Sequence, residues 1–325
     1  MHRLCHSVQV KTVQSICTFL WVLAVVLWPV PVNLRMERAG ESQSSSAGEG
    51  LYKSEITQAS FGLLGFRFYE TAGAEPSWNV RSEFAELHRE KENYAFLKNM
   101  DVDFFSQPGN VIRTKSDYGR CHFDRRLVEM EGNVAMQSAQ GYRFTMKKLD
   151  FDSANRQFHT NELVHMRGPN IERPDMFLTG VGMDADLNSE NFQIRRNTQS
   201  RRRLSNSEWI NIQSVKSEFR PRANRAIFNQ RVRATMPSLT IESDRLEMHT
   251  GDARNELLRA SGRVVLLHKK LRGKSNFADI EIGNDRIVLE GQASVQSDDN
   301  SLKGNRITLY TDEDRVEVEQ AEGSM

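Results

Sequence analysis

The sequence has few cysteines and prolines and no excess of charge of either sign. Only three of its 325 residues are cysteine, and Cys121 is the one that lies beyond residue 17. The rest of the chain therefore forms no intramolecular disulfide and is not a disulfide-stapled scaffold. Eight prolines argue against a fibrous chain. A net charge of +1 excludes a protein that binds polyanions over its whole surface, and a mean hydropathy of −0.58 excludes a polytopic membrane protein.

Sequence motifs of catalysis and metal binding are also missing. There is no H-E-x-x-H pair and no G-x-S-x-G elbow. Residues 273–275 match only the end of a phosphate-binding loop, since His268 stands where its first glycine belongs. Two D-x-D pairs fit the polar face of a strand better than a metal site: Asp101 with Asp103, and Asp184 with Asp186. We predict no enzyme, hence no catalytic residue, metal or cofactor; an enzyme with a convergent acid pair in a groove is the alternative.

One long apolar run lies near the N-terminus. Residues 16–34 include no charge over nineteen residues, which is about 28 Å of helix and enough to cross one bilayer core. No small-x-small cleavage site follows, so we predict a retained transmembrane anchor at 13–34 rather than a cleaved signal peptide. Residues 1–12 then form a cytoplasmic tail. Residues 35–55, rich in Ser, Gly and Glu, form a flexible tether to an exported domain.

Beyond the tether, apolar residues alternate with polar ones. Tyr142, Phe144 and Met146 alternate with Arg143 and its polar neighbours, and similar pairs recur up to Val316 and Val318. Clusters of Asp, Asn, Gly and Ser separate these segments every eight to twelve residues. Such alternation indicates strands with one buried face, and such clusters indicate tight turns. The sequence therefore predicts an all-β sandwich, jelly roll or solenoid.

An internal repeat of about 30 residues underlies the strands. A Gly or Asn recurs at positions 132, 161, 229, 262 and 291, and a small residue followed by a polar one opens a strand nearby, as in Ser116-Asp117 and Ser243-Asp244. Two strands per repeat imply stacked units that need neighbours to cover their apolar faces. The array is interrupted near 197–210, where three arginines follow one another.

The ordered series of these segments resembles a known family. Residues 66–73 (FRFYETAG), 78–87 (WNVRSEFAEL), 113–124 (RTKSDYGRCHFD), 127–134 (LVEMEGNV), 141–146 (GYRFTM) and 178–187 (LTGVGMDADL) resemble LptC, the bitopic periplasmic component of lipopolysaccharide export. Residues 216–323 are similar to the LptA/OstA-type repeat of the bridge proteins in the same pathway. The predicted domains are an LptC-like β-jellyroll at 56–198, a basic linker at 199–215 and an LptA/OstA-like block at 216–325.

The resemblance implies a twisted β-jellyroll with an apolar slot for lipid acyl chains, following the N-terminal transmembrane helix. It implies lipopolysaccharide as ligand, no nucleic acid, and a single-pass inner-membrane protein with its bulk in the periplasm. The candidate groove residues are Tyr142, Phe144, Met146, Leu239, Ile241, Leu266, Ile280, Ile282, Ile307 and Leu309. For each of them, a place in a closed, dry core is the alternative. If all of them fill such a core, the chain is an envelope scaffold or adhesion protein.

The ends of the sheet are the second functional surface that the resemblance implies, because unpaired strand edges can add a partner's strand. The candidate edge residues are Phe66 and Phe68 at one end and Val316 and Val318 at the other. The first end would meet the inner-membrane ABC transporter. The second would meet a further bridge protein or the outer-membrane receptor. The acidic run 312–314 is interpreted as a solvated hairpin tip rather than a steering charge.

Charge is segregated along the chain despite the balanced total. Residues 195–233 carry eleven Lys or Arg against two acids, whereas the last fifteen residues carry six acids against one Arg. The basic stretch contains Trp209, Phe219 and Phe228, a composition that also occurs in nucleic-acid binding strips. Export argues against nucleic acid. A plain linker is favoured, and a contact for lipid phosphates is the alternative.

Overall fold

A computed structural model describes residues 61–72, 75–88, 93–107, 109–249, 256–297, 300–313 and 315–321. All of these residues lie in one compact unit, Gly48–Met325. The predicted tail, transmembrane helix at 13–34 and tether lie outside the described residues. Within the described ranges, no helix has the length and apolar character to cross a membrane.

The described chain is almost entirely β-strand, as the alternation predicts. The strands are β1 (Phe61–Ala72), β2 (Glu75–His88), β3 (Tyr94–Gln107), β4 (Asn110–His122), β5 (Leu127–Gln137), β6 (Arg143–Asp152), β7 (Gln157–Gly168), β8 (Met176–Asp186), β9 (Phe192–Arg203), β10 (Trp209–Ser214), β11 (Lys216–Arg220), β12 (Arg225–Thr235), β13 (Leu239–His249), β14 (Leu257–His268), β15 (Leu271–Glu281), β16 (Arg286–Ser297), β17 (Asn300–Tyr310) and β18 (Arg315–Ala321). Single turns of 3₁₀-helix at Pro221–Ala223 and Ile282–Asn284 close two hairpins. The all-β fold class is confirmed.

These strands form one antiparallel sheet in which each strand except β10 pairs with the next along the chain. Strands β10 and β11 share one position, because both pair with β9 on one side and with β12 on the other. Hairpins at alternate ends of the strands make the connections, so every crossover is short.

The sheet continues through the segment for which a basic linker is predicted. Residues 199–203 complete β9 and residues 209–214 form β10, and the two pair directly, with Ile212 opposite Ser200. Residues 209–214 are thus a strand with one buried face, because Ile210 and Ile212 alternate with polar residues and bury their side chains. The arginines next to them occupy the other positions of the same ladder. The domain boundaries themselves stay predictions.

Most strands are bent in the middle, and the repeat marks several of the bends. Gly132 and Asn133 both have positive φ (76° and 46°), as do the pairs at 262–263 and 291–292. The pairing register shifts at each of these points. Glycine is favoured because side chains rarely adopt this conformation. The corner in β12 falls one residue past the predicted position 229, at Gln230 and Arg231, and position 161 has no positive φ.

The second signature of the repeat secures these corners. Ser116 donates its hydroxyl hydrogen to the carbonyl of Tyr118 at 2.8 Å, and Ser243 and Ser275 do the same two residues along at 3.0 and 2.7 Å. Asp117 then accepts a hydrogen bond from the side chain of Asn133 across the corner at 2.7 Å. The serine satisfies a carbonyl that the bulge frees from the ladder, so the pattern has a structural cause.

Because of the corners, the sheet folds back on itself. An eleven-residue strand would be about 36 Å long if it were straight, so hairpins at its two ends could not touch. Yet Arg156, at one end, donates to Ser77 Oγ at 2.8 Å at the other. We call the halves near the turns at 138–142, 169–175 and 204–208 the near wall. The halves near the turns at 123–126, 153–156 and 187–191 are the far wall, and the two lines of hairpins are the near and far rims.

Candidate functional site

The candidate groove residues face one shared interior. Nine of the ten are buried, at most 8% exposed, and Tyr142 is half-buried against them. Strand pairing places Phe144, Ile241 and Leu266 on the near wall and Ile280, Ile307 and Leu309 on the far wall. Their side chains belong to a single apolar cluster that runs from Trp78 to Leu309. The structure thus brings together the residues that alternation selects from both halves of the chain.

This interior is continuous across the junction of the two predicted blocks. Ile194, Ile210 and Ile212 are all at most 1% exposed and carry the apolar lining through β9 and β10. Four buried hydroxyl side chains lie along the same stretch: Thr198, Ser200, Ser214 and Ser217. Thr198 Oγ1 and Ser217 Oγ are 3.1 Å apart, and Ser214 donates to the carbonyl of Lys216 at 2.9 Å, so these three are hydrogen-bonded. The apolar lining therefore continues past a few small polar side chains.

A chain of phenylalanine rings crosses the same junction. Phe144 packs edge-on against Phe192 at 5.1 Å between ring centres, Phe192 stacks on Phe219 at 4.7 Å, and Phe219 meets Phe228 edge-on at 5.7 Å. Sequence reasoning placed Phe219 and Phe228 in a basic strip and missed Phe192. The sequence did contain a signal for Phe192: it lies two residues before Ile194, so both side chains are on the same buried face of β9.

An apolar recess opens beside this ring chain at the rims. It includes Tyr142, Phe144 and Phe192 and ends at Glu190 on the far rim, and its cavity volume is about 30 Å³. This is far below the roughly 300–1,000 Å³ of ligand pockets, so the recess holds no lipid chain unless the walls part. The recess is the part of the interior that lies closest to the mouth between the two rims.

Glu190 spans that mouth. Its side chain is only 4% exposed. Its carboxylate accepts hydrogen bonds from Ser106 at 3.0 Å, Asn110 at 3.3 Å and Gln140, all on the near rim, and from Arg222 at 2.9 Å on its own side. Burial alone raises the pKa of Glu190, but the hydrogen bonds from Gln140, Arg222 and Ser106 outweigh it and hold the pKa below the ordinary value of 4.5. The carboxylate is therefore charged and ties one rim to the other.

Three further side chains bridge the rims. Glu70 accepts hydrogen bonds from Trp78 at 2.9 Å on its own rim and from Ser153 at 3.2 Å and Arg126 on the far rim. The remaining two are Arg156, which reaches the carbonyl of Phe105, and Glu256, which accepts from the backbone of Ser205 at 2.7 Å. We call Glu70, Arg156, Glu190 and Glu256 the rim bridges. Sequence reasoning missed all four, because they are isolated charges in turns or at strand ends whose partners are distant in sequence.

His268 is a polar exception inside the apolar lining. It is 4% exposed, and no side chain or backbone group of the described chain hydrogen-bonds either ring nitrogen. An unsatisfied buried donor or acceptor costs about 1–3 kcal/mol. His268→Leu is therefore expected to raise the free energy of unfolding by about 1 kcal/mol, measured by urea denaturation. The exposed histidine His165, changed to Leu, is the control and should leave stability within about 0.5 kcal/mol; a loss of stability in His268→Leu would contradict the argument.

The candidate edge residues lie at the two ends of the sheet. Phe66 and Phe68 are on β1, and Val316 and Val318 are on β18, and all four pack partly buried against the core. Among the described strands, β1 pairs only with β2 and β18 only with β17. The outer side of β1 exposes Leu64 by 86% and Tyr69 by 73%. Within the described residues, the first and last strands thus each have an unpaired edge that a partner's strand can extend.

The fold and interior define a class: a single antiparallel sheet, bent along serine-secured corners, that encloses one elongated apolar path. Residues 75–202 match the family described as lipopolysaccharide-assembly, LptC-related, and residues 211–315 match the family described as LptA/(LptD N-terminal domain) LPS transport protein. The resemblance seen in the sequence is thus confirmed for both regions, in the same order. One description names lipopolysaccharide assembly and the other lipopolysaccharide transport, and the two matches together support a role of the chain in lipopolysaccharide transport.

Among solved structures, the chain is similar to LptH, described as the LptA homologous periplasmic component of the lipopolysaccharide transport device from Pseudomonas aeruginosa. The identity is 19%, the match covers 36% of this chain and 85% of that chain, and the TM-score is 0.33. No curated protein matches the sequence.

Proposed function

We propose that the chain is a membrane-anchored periplasmic transfer protein, not an enzyme, that accepts lipopolysaccharide from the inner-membrane ABC transporter and passes it toward the outer membrane. The single observation that carries the proposal is the unbroken apolar interior through the junction at 194–212, where an LptC-related region continues into an LptA/LptD-type region. One chain then offers the path that two such regions would otherwise provide separately.

The physical need for such a path is large. Exposing an acyl chain of about a dozen methylenes to water costs on the order of 10 kcal/mol at about 0.8 kcal/mol per methylene. Protein side chains fill the interior, so an acyl chain enters only if the two walls part and these side chains repack. The rim bridges lie where that parting begins. ATP hydrolysis by the transporter drives lipid transfer in one direction, and this chain shields the acyl chains from water.

The two ends of the sheet are the sites that we propose for the partners. The edge at Phe66 and Phe68 would join the transporter, next to the predicted anchor. The edge at Val316 and Val318 would join a further bridge protein or the outer-membrane receptor. Strand addition at either edge would extend the walls, so the apolar interior would continue into the partner without exposing lipid to water.

A photocrosslinking amino acid placed inside the interior tests the proposal. At Ile241 or Ile280, both at most 3% exposed, it is expected to capture lipopolysaccharide in living cells. The outward neighbours Glu242 and Asp279, on the same strands, are the matched controls and should stay silent. Failure of both interior positions to capture lipopolysaccharide, or equal capture at the controls, would contradict the proposal.

A second function has one observation in its favour. Nine of the candidate groove residues are nearly inaccessible, as they would be in a closed scaffold or adhesion protein. The crosslinking experiment separates the two functions, because a scaffold whose walls never part cannot bring lipid to Ile241 or Ile280.

A further inference from the structure

On β4–β9, the charged outward residues of the near wall are cations, whereas those of the far wall combine acids with cations. On the near wall, strand pairing aligns one outward row across six consecutive strands: Arg113, Gln137, Arg143, Arg167, Phe177 and Arg201. The parallel row beside it is Lys115, Ala135, Thr145, His165, Thr179 and Gln199. Neither row contains an acidic residue. We call these two rows the basic face.

The far wall of the same strands serves as an internal comparison. Its outward row is Arg120, Glu129, Asp150, His159, Asp184 and Gln193. Charges there are paired: Glu129 lies 3.5 Å from Arg120, and Asp184 lies 2.6 Å from His159. The same six strands thus carry paired charges on the far wall, so the excess of cations is confined to the near wall.

Arg113 and Lys115, at the β4 end of the basic face, pair with Asp103 and Asp101 of β3 at 3.9 and 3.5 Å, whereas the arginines farther along the face lack such carboxylates among the described residues. Arg143 and Arg167 are directly opposite each other on β6 and β7, an arrangement that destabilises a sheet by repulsion. Within the described chain, neither forms an ion pair. Arg201 lies over the ring of Trp209, 4.4 Å from its centre, rather than beside a carboxylate. Such a face is best satisfied by anions that come from outside the protein.

Apolar side chains are exposed among these cations. Phe177 is 40% exposed within the first row, and Leu163, near the corner of the same wall, is 48% exposed. The Phe177 and Trp209 rings lie 6.1 Å apart. Guanidinium groups bind phosphate oxygens in a bidentate way, and aromatic rings settle at the level of lipid headgroups. Binding of a small soluble anion would explain the cations but not the exposed aromatic rings. A lipid surface accommodates both the cationic and the aromatic side chains.

We infer that the basic face lies flat against an anionic phospholipid surface and so orients the groove relative to the membrane. The inference rests on the proposed anchoring of the chain. Six strands span about 24–29 Å, which is a broad contact.

The test measures contact of this face with lipid in the full-length chain, reconstituted in vesicles with or without phosphatidylglycerol in phosphatidylcholine. A nitroxide is attached through Phe177→Cys, with Gln193→Cys on the far wall as the matched control and Cys5 and Cys17 replaced by Ser. Burial raises the pKa of Cys121 to about 12, which keeps that thiol unlabelled. Accessibility of the nitroxide to oxygen and to a water-soluble nickel complex reports its position.

Position 177 is expected to become membrane-like only in vesicles with phosphatidylglycerol, and to return to water at high salt. Position 193 should stay aqueous throughout. The double variant Arg143→Gln, Arg167→Gln removes two surface cations. In vesicles with phosphatidylglycerol, it should lower the ratio of membrane-bound to free states of the basic face about thirtyfold.

Three outcomes overturn the inference: position 177 aqueous in both kinds of vesicle, equal contact with phosphatidylcholine alone, or contact that appears only when lipopolysaccharide or an acidic protein is added. The proposed function is judged separately, by capture at Ile241 and Ile280. Capture there with an aqueous position 177 defeats the basic-face inference alone. A chain that does not float with vesicles at all defeats both.

Discussion

Gly119→Val is expected to prevent stable folding. Gly119 lies in β4 on the inner side of the far wall, opposite Met130 of β5. A Cβ atom at this position would lie 2.6 Å from the backbone oxygen of Glu129 and closer still to the sulfur of Met100. The methionine side chain can move, but the oxygen belongs to the neighbouring strand. Relief therefore requires the strand pair to separate, at a cost of about 3 kcal/mol or more.

Urea denaturation followed by circular dichroism measures this effect. Gly109→Ala is the control, because Gly109 has a φ of 85° but nothing lies within 4 Å of an added Cβ. That substitution strains the backbone without a clash and should cost only about 1 kcal/mol. Equal denaturation midpoints for the two variants would show that the interior at Gly119 is looser than the structure has it.

Local sequence pattern was sufficient for the strands and several of the corners. Phe144 and Met146 point inward and Arg143 and Lys147 outward, as two-residue alternation requires, because each strand has one face against the core. The repeat glycines at 132, 262 and 291 mark corners because only a residue without a side chain adopts the required φ readily. These features depend on a residue and its immediate neighbours, so the sequence displays them directly.

Contacts between residues that are distant in sequence could not be predicted from that local pattern. Glu190 meets Ser106, which is 84 residues away in sequence, and nothing near either residue indicates the other. The run 201–203 looked like a solvated linker, although Arg202 lies 3.8 Å from the buried Glu256 and its neighbours alternate like a strand. The rim bridges, the ring chain at the junction and the two charged walls all arise from folding the sheet onto itself, a step that alternation does not determine.

Glu190→Ala is expected to loosen the mouth of the interior. The change removes a carboxylate that is only 4% exposed and that accepts hydrogen bonds from four partners, Ser106, Asn110, Gln140 and Arg222. Losing a buried charge that is hydrogen-bonded costs about 3 kcal/mol. The φ of Glu190 is 59°, and alanine bears that conformation no better than glutamate, so the difference reports the side chain. Glu242→Ala is the control, an exposed acid with one ion pair, and should cost less than about 0.5 kcal/mol.

The same residue predicts how stability depends on pH. The folded pKa of Glu190 lies below its ordinary value of 4.5, so its carboxylate stabilises the fold above that pH. As the pH falls through the lowered folded pKa, this stabilisation is lost. Glu190→Gln should therefore be less stable than the native chain at neutral pH, and the gap should narrow on acidification below about 4.5. A gap that is constant from neutral to acid pH would mean that the charge of Glu190 does not hold the rims together.

Weakening the contact of Glu190 across the rims should also change how much lipid enters the interior, which a stability measurement does not report. If the walls part at the rim bridges to admit lipid, a photocrosslinker at Tyr142, which lines the recess beside Glu190, should capture more lipopolysaccharide in Glu190→Gln than in the native chain. Capture at Ile280, far from that mouth, should change less. Unchanged capture at Tyr142 in a variant that is measurably destabilised would mean that lipid enters only through the ends of the sheet. In that case the rim bridges would serve stability alone.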